Sequence, residues 1–186
     1  MNLEDYRKKR DFEKTPEPSG KIDERGNNIF VVQKHKASKL HYDFRFEFNG
    51  VLKSFAIPKG PSLNPKNKRL AIETEDHPLD YTDFEGEIPE GNYGAGKVIV
   101  WDKGKYKNIS QKNNKSLSIN EAYNSGHITL ILTGEKLKGE FALIKFKGKD
   151  KWLLIKKDDD YADRNKEIVE EKPKSVISNK KIEEIK

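Results

Sequence analysis

The segment His41-Tyr-Asp-Phe-Arg-Phe-Glu-Phe48 alternates without interruption between polar or charged residues and aromatic ones. This is the period-two pattern of a strand, in which successive side chains point to opposite faces. Tyr42, Phe44, Phe46 and Phe48 therefore face a core, while His41, Asp43, Arg45 and Glu47 share the other face. Asn49-Gly50 follows at once and is a type I′ hairpin signal, so Val51–Ile57 is the expected return strand.

The β signal runs from Ile29 to about Lys157. Ile29–Lys34 is β-branched and aromatic, and further strands are expected at Leu70–Glu75, Gly96–Asp102, Gly126–Thr133, Gly139–Phe146 and Lys151–Lys156. Glu121–Ser125 reads as a brief helical turn. Many short strands joined by Gly, Asn and Asp turns make a mostly β fold, a barrel or a sandwich. Residues 1–28 read as an extended arm, with a short helix within Leu3–Phe12 that Thr15-Pro-Glu-Pro-Ser-Gly20 breaks. Residues 29–162 form the expected domain. Residues 163–186 read as a charged, solvated tail or a marginal helix, because Ile168–Lys186 is rich in Lys and Glu and lacks aromatic residues.

Composition narrows the function classes. Charged residues make up 37% of the chain, against about 25% in an ordinary domain, so part of it is expected to pack nothing. The chain has no Cys, which excludes disulfides, a cysteine nucleophile and Cys-based metal sites. No apolar run is long enough for a membrane span, and the polar start gives no signal peptide. A cytoplasmic protein is expected. The net charge of +6 permits nucleic-acid binding but argues for it only weakly. Most basic residues are Lys. The few arginines (Arg7, Arg10, Arg25, Arg45, Arg69 and Arg164) are better candidates for specific tasks, because the guanidinium fork grips phosphate or carboxylate bidentately.

Along the polar face of His41–Phe48, neighbouring same-face residues lie about 6–7 Å apart. His41 and Asp43 can converge on a divalent metal, with Arg45 placed to hold an anion beside it. Gln33 and His35 share one face of the preceding strand. If the two strands are neighbours, His35 joins His41 and Asp43 in a site suited to Mn²⁺, Fe²⁺ or Zn²⁺. The bland alternative is a solvated face of ion pairs. Lys59 and Arg69 bracket a basic loop, and His77-Pro-Leu-Asp-Tyr81 could bring an imidazole and a phenol to one site. His127, opening an apolar strand, reads as structural. Gly91-x-x-x-x-Gly96-Lys97 matches most of a phosphate-binding loop. Val98 replaces the required Ser or Thr, and a strand follows where a helix is needed, so tight turns are the better reading.

Taken together, these motifs resemble the 3′-phosphoesterase domain of bacterial DNA ligase D and its stand-alone relatives. The likeness rests on Gln33-Lys-His-x-Ala-Ser-x-Leu-His-Tyr-Asp-Phe-Arg45, Tyr6-x-x-Lys-Arg10-Asp-Phe-x-x-Thr-x-Glu17-Pro, Glu75-Asp-His77-Pro-Leu-Asp-Tyr81 and Phe84-Glu-Gly-x-Ile-Pro-x-Gly-x-Tyr-Gly-Ala-Gly96. It spans roughly Leu3 to Ala162. The resemblance implies a compact closed β-barrel with few short helices, and a Mn²⁺-dependent enzyme that heals DNA 3′ ends. Such an enzyme removes a terminal ribonucleoside as a phosphodiesterase, then removes the remaining 3′-phosphate as a phosphomonoesterase. The resemblance places metal ligands at His35, His41 and Asp43. It places phosphate contacts at Arg45, Lys59, Arg69, His77 and Tyr81, and further functional positions at Gln33, Arg10, Asp11 and Glu17. For His77 a phosphate contact is expected, with proton donation as the alternative. The implied substrate is a primer–template with a 3′-ribonucleotide or 3′-phosphate, in the nucleoid of a prokaryote. The chain lacks a ligase Lys-x-Asp-Gly motif and is too short for a fused polymerase. A monomer working beside separate ligase and polymerase chains is expected. Two rival readings are a 2-His-1-carboxylate iron oxygenase, using His41, Asp43 and either His77 or His127, and a non-catalytic nucleic-acid-binding barrel.

Overall fold

A computed structural model describes residues 3–20 and 26–186. Arg25 and the other parts of the arm at 1–2 and 21–25 lie outside the described residues. The chain forms α1 (Glu4–Lys8), β1 (Ile29–Lys36), β2 (Leu40–Phe48), β3 (Val51–Ile57) and β4 (Arg69–His77). A 3₁₀ turn (Leu79–Asp83), β5 (Gly86–Ile88) and the long β6 (Gly96–Asn108) follow. Then come a small hairpin, β7 (Gln111–Lys112) and β8 (Lys115–Ser116), and α2 (Ile119–Ser125). The last elements are β9 (His127–Gly134), β10 (Lys138–Lys147), β11 (Lys151–Lys156), α3 (Ile168–Glu171) and a 3₁₀ turn (Ile182–Glu184).

The main sheet runs β1-β2-β3-β4-β11-β10-β9-β6-β5, and β6 also pairs with β1. That last pairing closes an antiparallel barrel and leaves β5 outside the ring, on the edge of β6. Closure removes the open sheet edges that a sandwich would keep. The Asn49-Gly50 turn takes φ of 50° and 80°, the left-handed pair that a type I′ hairpin requires. The expected helical turn begins at Ile119, where Ser118 and Glu121 form a reciprocal capping box.

As the alternation requires, Tyr42, Phe44, Phe46 and Phe48 enter the barrel core beside Phe30, Phe55, Trp101 and Trp152. Phe46 stacks on Phe55 with centroids 6.1 Å apart. Each such ring contributes roughly 2–3 kcal/mol by burial. A second apolar layer covers the outside of the same strands. Tyr6 from the arm joins Tyr81, Phe84 and Ile88 over Val31, Leu52, Val98 and Val100. The wall of β1 and β2 is thus buried on both faces.

The C-terminal segment differs from the expected solvated tail. Ile168 enters the main core, and Ile182 and Ile185 cluster on Ile99. The Trp101 indole donates to the Lys172 carbonyl at 2.7 Å, and Val176 N donates to Val100 O at 2.9 Å. The apolar residues of this segment follow no helical or strand period, so only the surface waiting for them reveals their role. Among the described residues, no helix is long and apolar enough to cross a membrane.

Ile182→Ala should lower stability by about 2 kcal/mol in urea denaturation, as for a buried aliphatic truncation. A solvated position would lose less than about 0.5 kcal/mol.

Candidate active site

β1 and β2 pair so that His35 lies directly opposite His41, with ring centroids 4.8 Å apart. Asp43 follows on the same outer face. Its Oδ2 is 3.7 Å from His35 Nδ1 and 3.5 Å from His41 Nε2. The ligand atoms of the three residues all lie within 4.8 Å of one another. Each imidazole is oriented by a carbonyl behind it: His35 Nε2 is 2.8 Å from Gly94 O, and His41 Nδ1 is 3.1 Å from Lys39 O. A carbonyl can only accept, so in the neutral rings these contacts fix the tautomers and leave the lone pairs of His35 Nδ1 and His41 Nε2 for a metal; in the charged form His41 Nε2 donates to Asp43 instead. Two imidazole nitrogens and a carboxylate form a donor set that suits Mn²⁺, Fe²⁺ or Zn²⁺. Burial opposes ionisation of Asp43, but Arg45, His35 and His41 outweigh it and hold the carboxyl well below the usual range. Burial likewise disfavours a charged His41, yet its contact with Asp43 prevails and raises its pKa.

Beside this cluster the pocket becomes cationic. Arg45 reaches Asp43 Oδ2 with Nη2 at 3.3 Å and lies 3.0 Å from His77 Nδ1 through Nη1. Its Nε donates to Gln33 Oε1 at 2.9 Å, while Gln33 Nε2 donates to the carbonyls of Tyr81 and Phe84. Gln33 is fully buried and ties the arginine to the 3₁₀ turn. From the other side the arm delivers Arg10, whose Nη2 is 3.4 Å from His77 Nε2. Arg10 is held by Glu17 at 2.8 Å and Glu75 at 3.2 Å, and lies 3.9 Å over the Tyr6 ring. Glu17 also accepts from the Tyr81 hydroxyl at 2.8 Å and from Thr15 at 2.9 Å. Burial, with Arg45 and Arg10 adding to it, pushes His77 well below its ordinary pKa. His77 is a neutral ring between two guanidiniums. Its Nδ1–H donates to Glu75 O at 2.9 Å, and Nε2 keeps a lone pair towards Arg10. Burial and Glu17 hold the Tyr81 phenol well above its ordinary value, so it stays a donor.

The family described as "DNA Ligase D 3'-phosphoesterase domain" matches residues 33–145, which include the metal-ligand candidates, Arg45 and His77. The chain belongs to this family. It is similar to the "Multifunctional non-homologous end joining protein LigD" of Pseudomonas aeruginosa, with 49% identity over 96% of this chain. The protein of the same name from Mycolicibacterium smegmatis is 48% identical over 81% of the chain. The "Multifunctional non-homologous end joining DNA repair protein LigD" of Mycobacterium tuberculosis is 45% identical over 80%. The chain spans 21%, 20% and 19% of these relatives' lengths.

In this 3′-phosphoesterase domain, His35, His41, Asp43, Arg45, His77, Tyr81, Arg10 and Glu17 line one cavity of about 270 Å³. Gln33 lies behind it. Lys59, Arg69 and Asp11 do not line it. Lys59 is exposed just past the end of β3. Arg69 shares the parity of core residue Ala71 and faces Leu154 of β11 in register, and its Nη2 lies 3.8 Å from Glu167. Asp11 is on the outside of the arm, paired with Lys14 at 2.9 Å. His127 is exposed at the start of β9, and His77 is engaged by arginines, so neither completes an oxygenase triad with His41 and Asp43.

Glu75, Tyr93 and the Gly94 carbonyl were given no role by sequence reasoning. Glu75 and Tyr93 line the cavity. The glycine-rich loop makes turns, as expected, but it also reaches the site. A Cβ on Gly96 would fall 2.2 Å from Lys36 O, so only glycine allows the loop to pack against the end of β1. Glu75 and Tyr93 stand inside quoted motifs, yet nothing in the sequence aims them at Arg10.

The depressed pKa of His77 sets a pH dependence. An unfolded histidine titrates near about pH 6.5, and folded His77 does so lower. Between those values the unfolded chain binds the extra proton, so stability falls as pH drops below about 6.5. Raised His41 acts in the opposite direction, above about 6.5, and depressed Asp43 acts only below about 3.9. In urea denaturation of the metal-free protein, acidification from about pH 7.5 to 5.5 should weaken wild type more than His77→Gln. Equal losses would mean that folding leaves the His77 pKa unchanged.

Proposed function

We propose that this domain is a divalent-metal-dependent DNA 3′-end-healing phosphoesterase. The observation that carries the reading is the meeting of two opposed arginines and a neutral imidazole with a His-His-Asp cluster in one small cavity. That combination fits a phosphate ester better than any uncharged substrate. The substrate is a primer–template whose primer ends in ribonucleotides or in a 3′-phosphate. The diesterase step releases the terminal nucleoside and leaves a 3′-phosphate, and the monoesterase step then leaves a 3′-OH. In a prokaryotic nucleoid, ligase and polymerase activities would use that end, with this domain acting as a monomer.

His35, His41 and Asp43 would hold the metal, proposed as Mn²⁺. When bound, such an ion supplies Lewis-acid activation of a phosphate oxygen. Arg45 and Arg10 would take the remaining charge of the phosphoryl group as it grows in the transition state. An anion between them also offsets the repulsion that keeps His77 neutral. His77 Nε2 would then gain a proton and hydrogen-bond the phosphate, with donation to the leaving oxygen as the alternative. Tyr81 would donate a hydrogen bond that orients it, and Glu17 would hold Tyr81 and Arg10 in place. Asp11 is proposed to support the arm from outside. Lys59, just past β3, and Arg69, the first residue of β4, are proposed to meet the more highly charged 3′-phosphate from outside the cavity.

The test is a labelled primer–template ending in two ribonucleotides, and a second ending in a 3′-phosphate, each with Mn²⁺ and with chelator. Wild type should process both only with metal. His41→Ala and Asp43→Ala should each lose at least about a hundredfold on both substrates, the upper end of what losing an outer-shell partner of a metal costs. Metal-dependent cleavage by either variant at the wild-type rate would sink the ligand assignment. Arg69→Ala should slow the 3′-phosphate substrate more than the ribonucleotide substrate. Equal effects on the two would remove its special role.

A further inference from the structure

β4 breaks its own alternation. Thr74, Glu75 and His77 all line the cavity, whereas regular pleating would turn Glu75 and His77 to the face opposite Thr74. The cause is a register shift. Ser54 of β3 pairs with Thr74, but Leu52 pairs with His77, so Lys53 stands opposite both Glu75 and Asp76. This is a β-bulge, with one extra residue on β4. Beyond such a residue every side chain changes face. Without it, His77 would point into the barrel core.

The bulge has a charged anchor on the side away from the cavity. Between Thr74 and His77, Asp76 is the residue that turns inward, and its Oδ1 lies 3.1 Å from Lys53 Nζ. Lys53 is in register with core residue Phe46, lies 4.7 Å from the Tyr123 ring centre, and is 3.2 Å from Glu73 Oε1. The side chains of Lys53 and Asp76 are only 9% and 12% exposed. Side chains also bond to the backbone at the bulge. Ser54 Oγ donates to Leu52 O at 3.0 Å, and the His77 ring donates to Glu75 O. A buried ion pair is a poor source of net stability, and its better-attested use is to select one register over another.

We propose that Lys53 and Asp76 are positioning residues whose ion pair pins the β4 bulge, and so keeps His77 and the Arg10 partner Glu75 on the reaction face. The inference rests on His77 acting on the phosphate as proposed above. It adds two core-side residues, neither of which lines the cavity, to the requirements of the reaction.

Two readouts test it: steady-state kinetics on the 3′-phosphate primer–template, and the His77 ring resonance of the metal-free protein. Asp76→Asn should lower kcat by about tenfold to a hundredfold, the scale of a misplaced reacting group, with little change in KM. In a His77→Ala background the same substitution should cost less than about twofold, because coupled residues are not additive. Lys53→Met with Asp76→Asn removes both charges, leaves neither of this pair unpaired, and should fold with the same loss of kcat. Both altered proteins should show a displaced His77 resonance. Wild-type kcat in both, or full additivity of Asp76→Asn with His77→Ala, would overturn the proposal. Should wild type prove inactive, the functional reading fails by itself, and an unmoved His77 resonance in both variants then decides against the pinning.

Discussion

Asp43 and Arg45 lie on the outer face of a strand whose inner face is a row of aromatic rings, and both outer side chains are almost entirely buried. Placing a carboxylate and a guanidinium away from water is expensive unless each finds partners. Much of the surrounding structure supplies them. β1 contributes His35 and Gln33, and β4 contributes His77. The 3₁₀ turn and the arm close over the top with Tyr81, Phe84 and Tyr6. The aromatic inner face makes the arrangement stable, and the polar outer face gives it chemistry.

The same constraint explains the arm. Glu17 is buried and accepts from Arg10, Tyr81 and Thr15 together. A carboxylate with that many donors holds the arm against the barrel as firmly as an apolar contact would, and it brings Arg10 to the second face of His77. The arm's charged sequence, which composition alone would assign to solvent, is charged because it meets charge. Positive groups converge where an anion is expected, and acidic residues stand behind them to keep them in position.

How legible the site was depended on the distance over which its geometry is set. The spacing of His41, Asp43 and Arg45 is local to one strand, so alternation alone put them together. His35 needed only the neighbouring strand. Arg10, Glu17 and Tyr81 were named through family motifs, since no periodicity links an N-terminal arm to a turn some sixty residues later: Tyr81 meets Glu17 across 64 positions. Glu75 escaped notice because a strand read at period two sends it to the core. The C-terminal segment was misjudged for a related reason. Its isoleucines are too irregularly spaced to signal packing, and composition averages them into a run of Lys and Glu.

The sequence by itself determined the two-faced strand, its type I′ turn, the β character of the domain and the identity of the metal-ligand candidates. Each of these is fixed by side-chain alternation or by a turn residue's own backbone preference. Tertiary structure alone decided the closure of the barrel by β1 and β6, and the packing of residues 163–186. It also decided the exclusion of Lys59 and Arg69 from the cavity, and the bulge that turns His77 outward. Those outcomes depend on register and on contacts between distant segments. A one-residue change of register reverses which face a side chain occupies, and local sequence does not encode that choice.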